Sequence, residues 1–76
     1  MPMDKLTTAK EITKKYGVSY QSLNRFTDVG LLTVMLKKGN IRYYNRAQVK
    51  KRLKQISGLM QEGYSFLLIR KKLVGI

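Results

Sequence analysis

The fold is decided by the stretch VSYQSLNRF, residues 18–26, which is followed by GLL at residues 30–32 and GNIRYY at residues 39–44. Ser19 is a favourable N-cap, so the pattern predicts a helix from Tyr20 to Val29 that is entered through a tight turn. The GLL segment, with its leading glycine, then ends this helix sharply. The basic and aromatic segment that follows has the turn residues and alternation of a β-hairpin.

Another helix precedes this stretch. TAKE, residues 8–11, fits a capping box, in which a threonine and a glutamate each accept from the other's backbone N–H. It predicts a helix from Ala9 to Tyr16 that ends at Gly17. Two short helices joined through a tight turn form a helix-turn-helix, with Leu23 and Phe26 of the second helix facing the core.

The segment after the second helix predicts a two-stranded hairpin. Residues 31–36 are apolar and end in strand formers, KGN at residues 38–40 signals a turn, and IRYY at residues 41–44 forms a short strand. Such a hairpin is marginal by itself and must pack against the helices. Because Tyr43 and Tyr44 alternate across the strand, we expect one to pack on the core and the other to remain available to a partner.

Two helices complete the chain. Asn45 and Gln48 fit a second capping box, and the third helix that they begin runs to about Gln61. Ser65 caps a fourth helix, from Phe66 to Val74. The residues predicted to face the core from these two helices are Val49, Leu53, Ile56, Met60, Phe66, Ile69 and Leu73.

Composition excludes most kinds of chemistry. The 76 residues carry a net charge of +12 and contain no histidine or cysteine, so the usual zinc sites and His- or Cys-based catalysis have no support. Because the four acidic residues are scattered, we expect no metal site, no cofactor and no enzymatic activity. No acidic residue lies between Asp28 and Glu62, and a segment of one charge suits a polyanionic partner. The cations of this segment are Lys37, Lys38, Arg42, Arg46, Lys50, Lys51, Arg52 and Lys54.

These elements predict a mainly α, winged helix-turn-helix domain of about four helices, with a two-stranded wing between helices two and three. Residues 1–76 are long enough for one such domain. The fold suits duplex DNA, because the major groove admits a helix whose Arg and Asn side chains pair with guanine and adenine. The wing would then hold the DNA backbone or an adjacent minor groove. The predicted DNA-binding residues are Ser19, Tyr20, Gln21, Ser22, Asn24, Arg25, Lys37, Lys38 and Arg42.

The order and spacing of the motifs resemble the DNA-binding domain of the mercury-resistance-regulator (MerR) family. Members tend to read T-x-x-E-[IV] in the first helix, then G-V-S-x-x-[ST]-L-R-Y-[YF], G-L-L, a wing N-G-Y-R-x-Y and a later G-[FY]-S-[LF]-x-x-I. The resemblance implies the same fold, a function as a transcriptional regulator or as the DNA-binding domain of one, and a place near DNA for Tyr44. The corresponding segments of this chain begin at Thr8, Gly17, Gly30, Gly39 and Gly63.

The chain departs from the family pattern at four places. Asn-Arg at residues 24–25 replaces Arg-Tyr, so the family's base preference does not carry over. Asn-Ile at residues 40–41 replaces Gly-Tyr at the wing tip, and the spacing from Asn45 to Gly63 is slightly longer than usual. The family's long dimerising helix and effector domain have no counterpart in the sequence, so we expect no small-molecule effector site.

Two leucines of the fourth helix raise the question of self-association. Leu67 and Leu68 stand at positions that are usually polar in the resembled family. One hypothesis is that they form, with Val74, a contact surface for a second protomer or another partner. The alternative is that they are isolated surface leucines, which are common on soluble proteins.

Two other functions remain open. An excisionase-like architectural or recombination-directionality protein of a phage or mobile element would also be a short winged helix. A cationic membrane-surface module is disfavoured, because the third helix has no aromatic residue beside its lysines. No apolar run could span a bilayer, and MPMD at residues 1–4 lacks the features of a signal peptide. We therefore expect a cytoplasmic, nucleoid-associated protein of a bacterium or phage.

Overall fold

The computed structural model describes residues 5–75, so residues 1–4, on which the signal-peptide expectation rests, lie outside the described part. Residues 5–75 form four helices and a small antiparallel sheet, a mainly α fold with the predicted wing. None of these helices has the length and apolar character needed to cross a membrane. The elements are β1 (Leu6–Thr8), α1 (Ala9–Tyr16), α2 (Tyr20–Asp28), β2 (Val34–Lys38), β3 (Ile41–Asn45), α3 (Arg46–Gln61) and α4 (Phe66–Val74).

The sheet has one strand more than the sequence predicts. Its order is β1-β3-β2, with β3 in the centre and both neighbours antiparallel to it. β1 pairs Leu6 with Asn45 and Thr8 with Tyr43. The two-stranded hairpin was therefore an incomplete prediction, because a strand of three residues is too short for alternation to reveal it. The added strand ties the wing to the start of α1, since Ala9 follows β1 directly.

The wing turns through Gly39 and Asn40. Lys38 pairs with Ile41, which leaves a two-residue loop between the strands. Gly39 has φ +61°, and no other residue type in the described chain has a positive φ, so the first loop position carries the glycine that a type II′ turn requires. The register shifts between Val34 and Leu36, a bulge that increases the local twist of the wing.

The caps of α1 and α2 confirm the predicted helix starts. The Thr8 hydroxyl accepts from the Glu11 N–H at 3.1 Å, and the Glu11 carboxylate accepts from the Thr8 N–H at 2.9 Å. The Ser19 hydroxyl accepts from the Ser22 N–H at 3.1 Å. Between the helices, Gly17 has φ +67°, a left-handed conformation that ends α1 at the predicted place.

The helix α3 has the predicted N-cap at Asn45 but lacks the reciprocal bond of a capping box. The Asn45 side chain accepts from the Gln48 N–H at 2.9 Å, as an N-cap should. The Gln48 side chain, however, turns to Thr33, whose backbone N–H it accepts at 3.1 Å. The reciprocal bond of a capping box was therefore a wrong prediction, because the chain entering the edge strand β2 offers Gln48 another donor. The fourth helix begins as predicted, at the Ser65 cap.

The core lies between the helices and one face of the sheet. Met60 was predicted to belong to it but is 60% exposed, because Leu59 of the same turn packs against the core in its place. Val74 is half-buried and packs against the core, so it contributes less exposed surface than Leu67 and Leu68 to the contact proposed for the three residues. Those two leucines are exposed, at 63% and 52%. The buried cluster is Ala9, Ile12, Leu23, Phe26, Leu31, Leu32, Tyr44, Val49, Leu53, Ile56 and Ile69.

Candidate nucleic-acid interface

The outer face of α2 carries polar side chains, as predicted. Leu23 and Phe26 anchor the helix in the core, and this fixes which side faces solvent. Gln21 and Asn24 are exposed on that side, and Tyr20 is 51% exposed at its start. The helix therefore presents amide and phenol groups on a rigid element, the arrangement that reading a groove requires.

Ser19 and Ser22 are engaged with each other. The Ser19 hydroxyl, which caps the helix, also donates to the Ser22 hydroxyl at 3.1 Å. Ser22 is half-buried and faces α3 across a groove of about 770 Å³. Ser19 is therefore first of all a cap, and its hydroxyl hydrogen is already used within the protein.

The wing and α2 meet in a direct side-chain contact. Arg42 of β3 donates through Nη2 to the Oδ1 atom of Asn24 at 2.6 Å. A cleft of about 290 Å³ separates the wing from the start of α2, with Tyr20 on one side and Ile41 on the other. The wing and the exposed face of α2 thus belong to one surface, which the sequence did not reveal because the two residues are 18 positions apart.

Arg25 lies at the other edge of the same exposed face of α2, where the fourth helix holds it. Its guanidinium carbon lies 3.8 Å from the centre of the Phe66 ring, a cation–π contact. Phe66 in turn stacks on Phe26, with ring centres 6.1 Å apart and planes at 21°. Arg25 remains exposed, but α4 orders its side chain before any ligand arrives. Phe66, predicted to belong to the core, thus has a second role that the sequence did not indicate.

Tyr44 is a core residue, which corrects the prediction that it lies at the DNA. It is 0% exposed, and its hydroxyl lies 3.0 Å from the Thr27 hydroxyl. Thr27 already donates its hydrogen to the Leu23 carbonyl at 2.8 Å, so Tyr44 must be the donor in the first bond. The alternation of β3 leaves Tyr43, which is half-exposed, as the tyrosine with access to solvent.

Four lysines of the segment that lacks acidic residues lie around this surface. Lys37 and Lys38 are exposed at the tip of β2. Lys50 and Lys54, one helical turn apart on α3, line the groove opposite Ser22. These lysines surround the exposed face of α2 with positive charge from the wing and from α3, a distribution that favours a polyanion.

Two arginines of the same segment have structural roles that the sequence did not indicate. Arg46 donates to the Leu6 carbonyl at 3.1 Å and so ties α3 to β1. Arg52 donates to the Leu73 carbonyl at 3.2 Å, and its positive charge also stabilises the C-terminal end of the α4 dipole. Not every cation of the basic segment therefore belongs to the candidate interface.

The acidic residue Glu11 serves the fold. The Thr8 backbone N–H, which its carboxylate accepts, lowers the pKa of Glu11 below its ordinary value of 4.5, and the hydroxyls of Thr8 and Thr7 add to the effect. Within residues 5–75 no three His, Cys, Asp or Glu side chains come together in a way that could hold a metal ion. The described part of the surface thus offers hydrogen-bond donors and positive charge.

Comparison with known proteins agrees with this geometry. A family model described as MerR HTH family regulatory protein matches residues 7–75. The matched span begins in β1 and runs through the end of α4, so it contains every helix described above. No curated protein matches the chain, and no solved structure does.

Proposed function

Because the chain belongs to the family of MerR HTH regulatory proteins, we propose that it binds double-stranded DNA with sequence preference and regulates transcription. The observation that carries the proposal is the 2.6 Å bond between Arg42 and Asn24. It joins a basic wing to the polar face of α2, and the two elements can therefore engage a duplex together. If the basic residues served only to keep the surface hydrated, no bond that aligns the wing with α2 would be expected.

In the proposed complex, α2 enters the major groove. Asn24, Gln21 and Arg25 face the base edges there, since Asn and Arg side chains match the donors and acceptors that bases present. Lys37 and Lys38 of the wing contact the sugar-phosphate backbone, which fixes register without reading sequence. Base preference thus comes from α2 and most of the affinity from the cations.

The charge of the chain supports a large electrostatic share of the affinity. With a net charge of +12, binding releases counterions from the duplex and weakens as salt rises. Lys50 and Lys54 lie on the α3 wall beside α2, where a phosphate of the same duplex is within reach once α2 is in the groove. Contacts of this kind act on every sequence alike, so base preference must be tested separately from affinity.

Selection from a random duplex pool at near-physiological salt tests the proposal. An enriched inverted repeat supports a two-fold dimer that acts as a regulator, because operator symmetry mirrors protein symmetry. Enriched direct repeats or a single half-site support sequence-dependent binding but favour the excisionase-like alternative. Binding without enrichment that disappears steeply with salt contradicts the proposal, because phosphate attraction alone then accounts for it.

A further inference from the structure

We propose, on the basis of the proposed function, that Arg42 determines which base Asn24 reads. Arg42 fixes the Asn24 side-chain amide with its NH2 group outward, and Asn24 therefore prefers guanine. A free asparagine side chain carries both a donor and an acceptor, and both are needed for its bidentate pairing with adenine. In this chain one lone pair of that acceptor is already taken, at 2.6 Å, by the positively charged Arg42 guanidinium. The wing would then select the base as well as hold the backbone.

The orientation of the amide follows from the chemistry of its partner. A guanidinium has N–H donors and no acceptor, so the Asn24 atom that it contacts must be the oxygen. The Asn24 NH2 group therefore points away from Arg42. Asn24 is exposed on α2, so this NH2 group is available to a ligand.

The positive charge beside the oxygen decides between bases. Adenine requires that the Asn oxygen accept from its N6 amino group, whose hydrogens would then approach the Arg42 guanidinium. Guanine presents two acceptors in the major groove, O6 and N7, and no donor beside them. The Asn24 NH2 group and the free N–H groups of Arg42 form a surface of donors, which matches guanine and opposes cytosine, whose N4 is a donor.

The strand β3 and the ring of Tyr44 hold Arg42 in position for its contact with Asn24. Arg42 lies on β3, the central strand of the sheet, opposite Lys37 of β2. Its guanidinium carbon is 5.8 Å from the centre of the Tyr44 ring, which is itself fixed in the core. The arginine thus reaches Asn24 from a rigid base, and the amide orientation is set before DNA binds.

Binding to a duplex obtained by selection, with all four base pairs tested at each position, measures the effect. The position read by Asn24 is the one whose preference changes in Asn24→Ala. Wild type is expected to prefer guanine there by roughly tenfold, the size of one good base contact. In Arg42→Ala the preference should shift towards adenine, because no guanidinium then opposes the N6 hydrogens at the Asn24 oxygen.

A matched control separates the amide effect from the loss of charge. Lys37→Ala removes one cation from the neighbouring strand, directly opposite Arg42, and does not touch Asn24. It should weaken binding to all duplexes and leave the base ratios unchanged. Asn24→Asp keeps an acceptor for Arg42 but replaces the outward NH2 with oxygen, so the preference should pass from guanine to cytosine.

Two results would overturn the inference. If Arg42→Ala changes only overall affinity, as Lys37→Ala does, or if Asn24→Asp keeps the guanine preference, Arg42 does not set the reading of Asn24. Preserved base ratios elsewhere in the site would then leave the proposed function intact. Wild-type binding that is equal for all duplexes would instead refute both. Thermal melts by circular dichroism verify that each variant is folded.

Discussion

The buried hydrogen bond between Tyr44 and Thr27 yields an asymmetric prediction about stability. Tyr44 is 0% exposed and donates to Thr27, whose own hydrogen is used by the Leu23 carbonyl. Tyr44→Phe removes the donor and leaves only an oxygen lone pair of a half-buried threonine, which water can approach. The expected loss is about 1 kcal/mol of unfolding free energy, the net value of an ordinary hydrogen bond.

Thr27→Val should cost more than Tyr44→Phe. Valine has nearly the shape of threonine, but it leaves the tyrosine hydroxyl buried in the core without a partner. An unsatisfied buried donor costs about 1–3 kcal/mol. In a domain of this size each kcal/mol lowers Tm by about 4–8 °C, so the two variants should differ by several degrees.

Urea and thermal unfolding, followed by circular dichroism, measure the difference in wild type, both single variants and the double variant. The double variant should be more stable than Thr27→Val alone, because replacing both partners removes the orphaned donor. DNA affinity should be unchanged in Tyr44→Phe once the protein is folded. A Thr27→Val protein as stable as Tyr44→Phe, or a Tyr44→Phe protein with a specific loss of DNA binding, would refute the assignment of Tyr44 to the core.

Three further predictions concern other parts of the molecule. Because folding lowers the pKa of Glu11, the carboxylate stabilises the protein above pH 4.5, the ordinary pKa, and this stabilisation is lost as the pH falls through the pKa of the folded state. Denaturant titrations at several pH values should show this decline in stability, and the decline should be smaller in Glu11→Gln. Gly17→Ala should cost roughly 1–2 kcal/mol by thermal unfolding, because Gly17 has φ +67°, whereas an equal stability of both proteins would contradict the left-handed cap. If Leu68, which is 52% exposed, contacts a second protomer, Leu68→Glu should reduce self-association in analytical ultracentrifugation, and an unchanged sedimentation profile would eliminate that hypothesis.

Helix positions could be predicted from the sequence because their signals are local. Thr8, Ser19, Asn45 and Ser65 each accept from a backbone N–H three residues later, and this spacing is visible in the sequence. The apolar stripes of α2 and α3 were visible for the same reason, apart from the exposed Met60 at the end of α3. The family resemblance, which the matching model confirms over residues 7–75, depends on these same local segments.

The arrangement of the candidate interface could not be predicted, because it depends on pairs that are distant in the chain. The contacts Arg42–Asn24 and Tyr44–Thr27 join β3 to α2 across 18 and 17 positions, respectively. Alternation along β3 required one inward tyrosine but gave no means of choosing between Tyr43 and Tyr44. The pairing with β1 and β2 makes that choice, and it places Tyr44 inside.

The most direct test of the central claim, that α2 reads sequence while the wing lysines supply affinity, compares Arg25→Ala with Lys38→Ala. The measured quantity is the ratio of Kd for a scrambled duplex to Kd for the selected duplex, at several salt concentrations. Arg25→Ala should reduce this ratio by roughly fivefold or more, since a base contact is lost. Lys38→Ala should weaken binding to both duplexes alike and lower the salt dependence, with the ratio preserved. An Arg25→Ala protein that keeps the wild-type ratio while it weakens every duplex equally would contradict the claim.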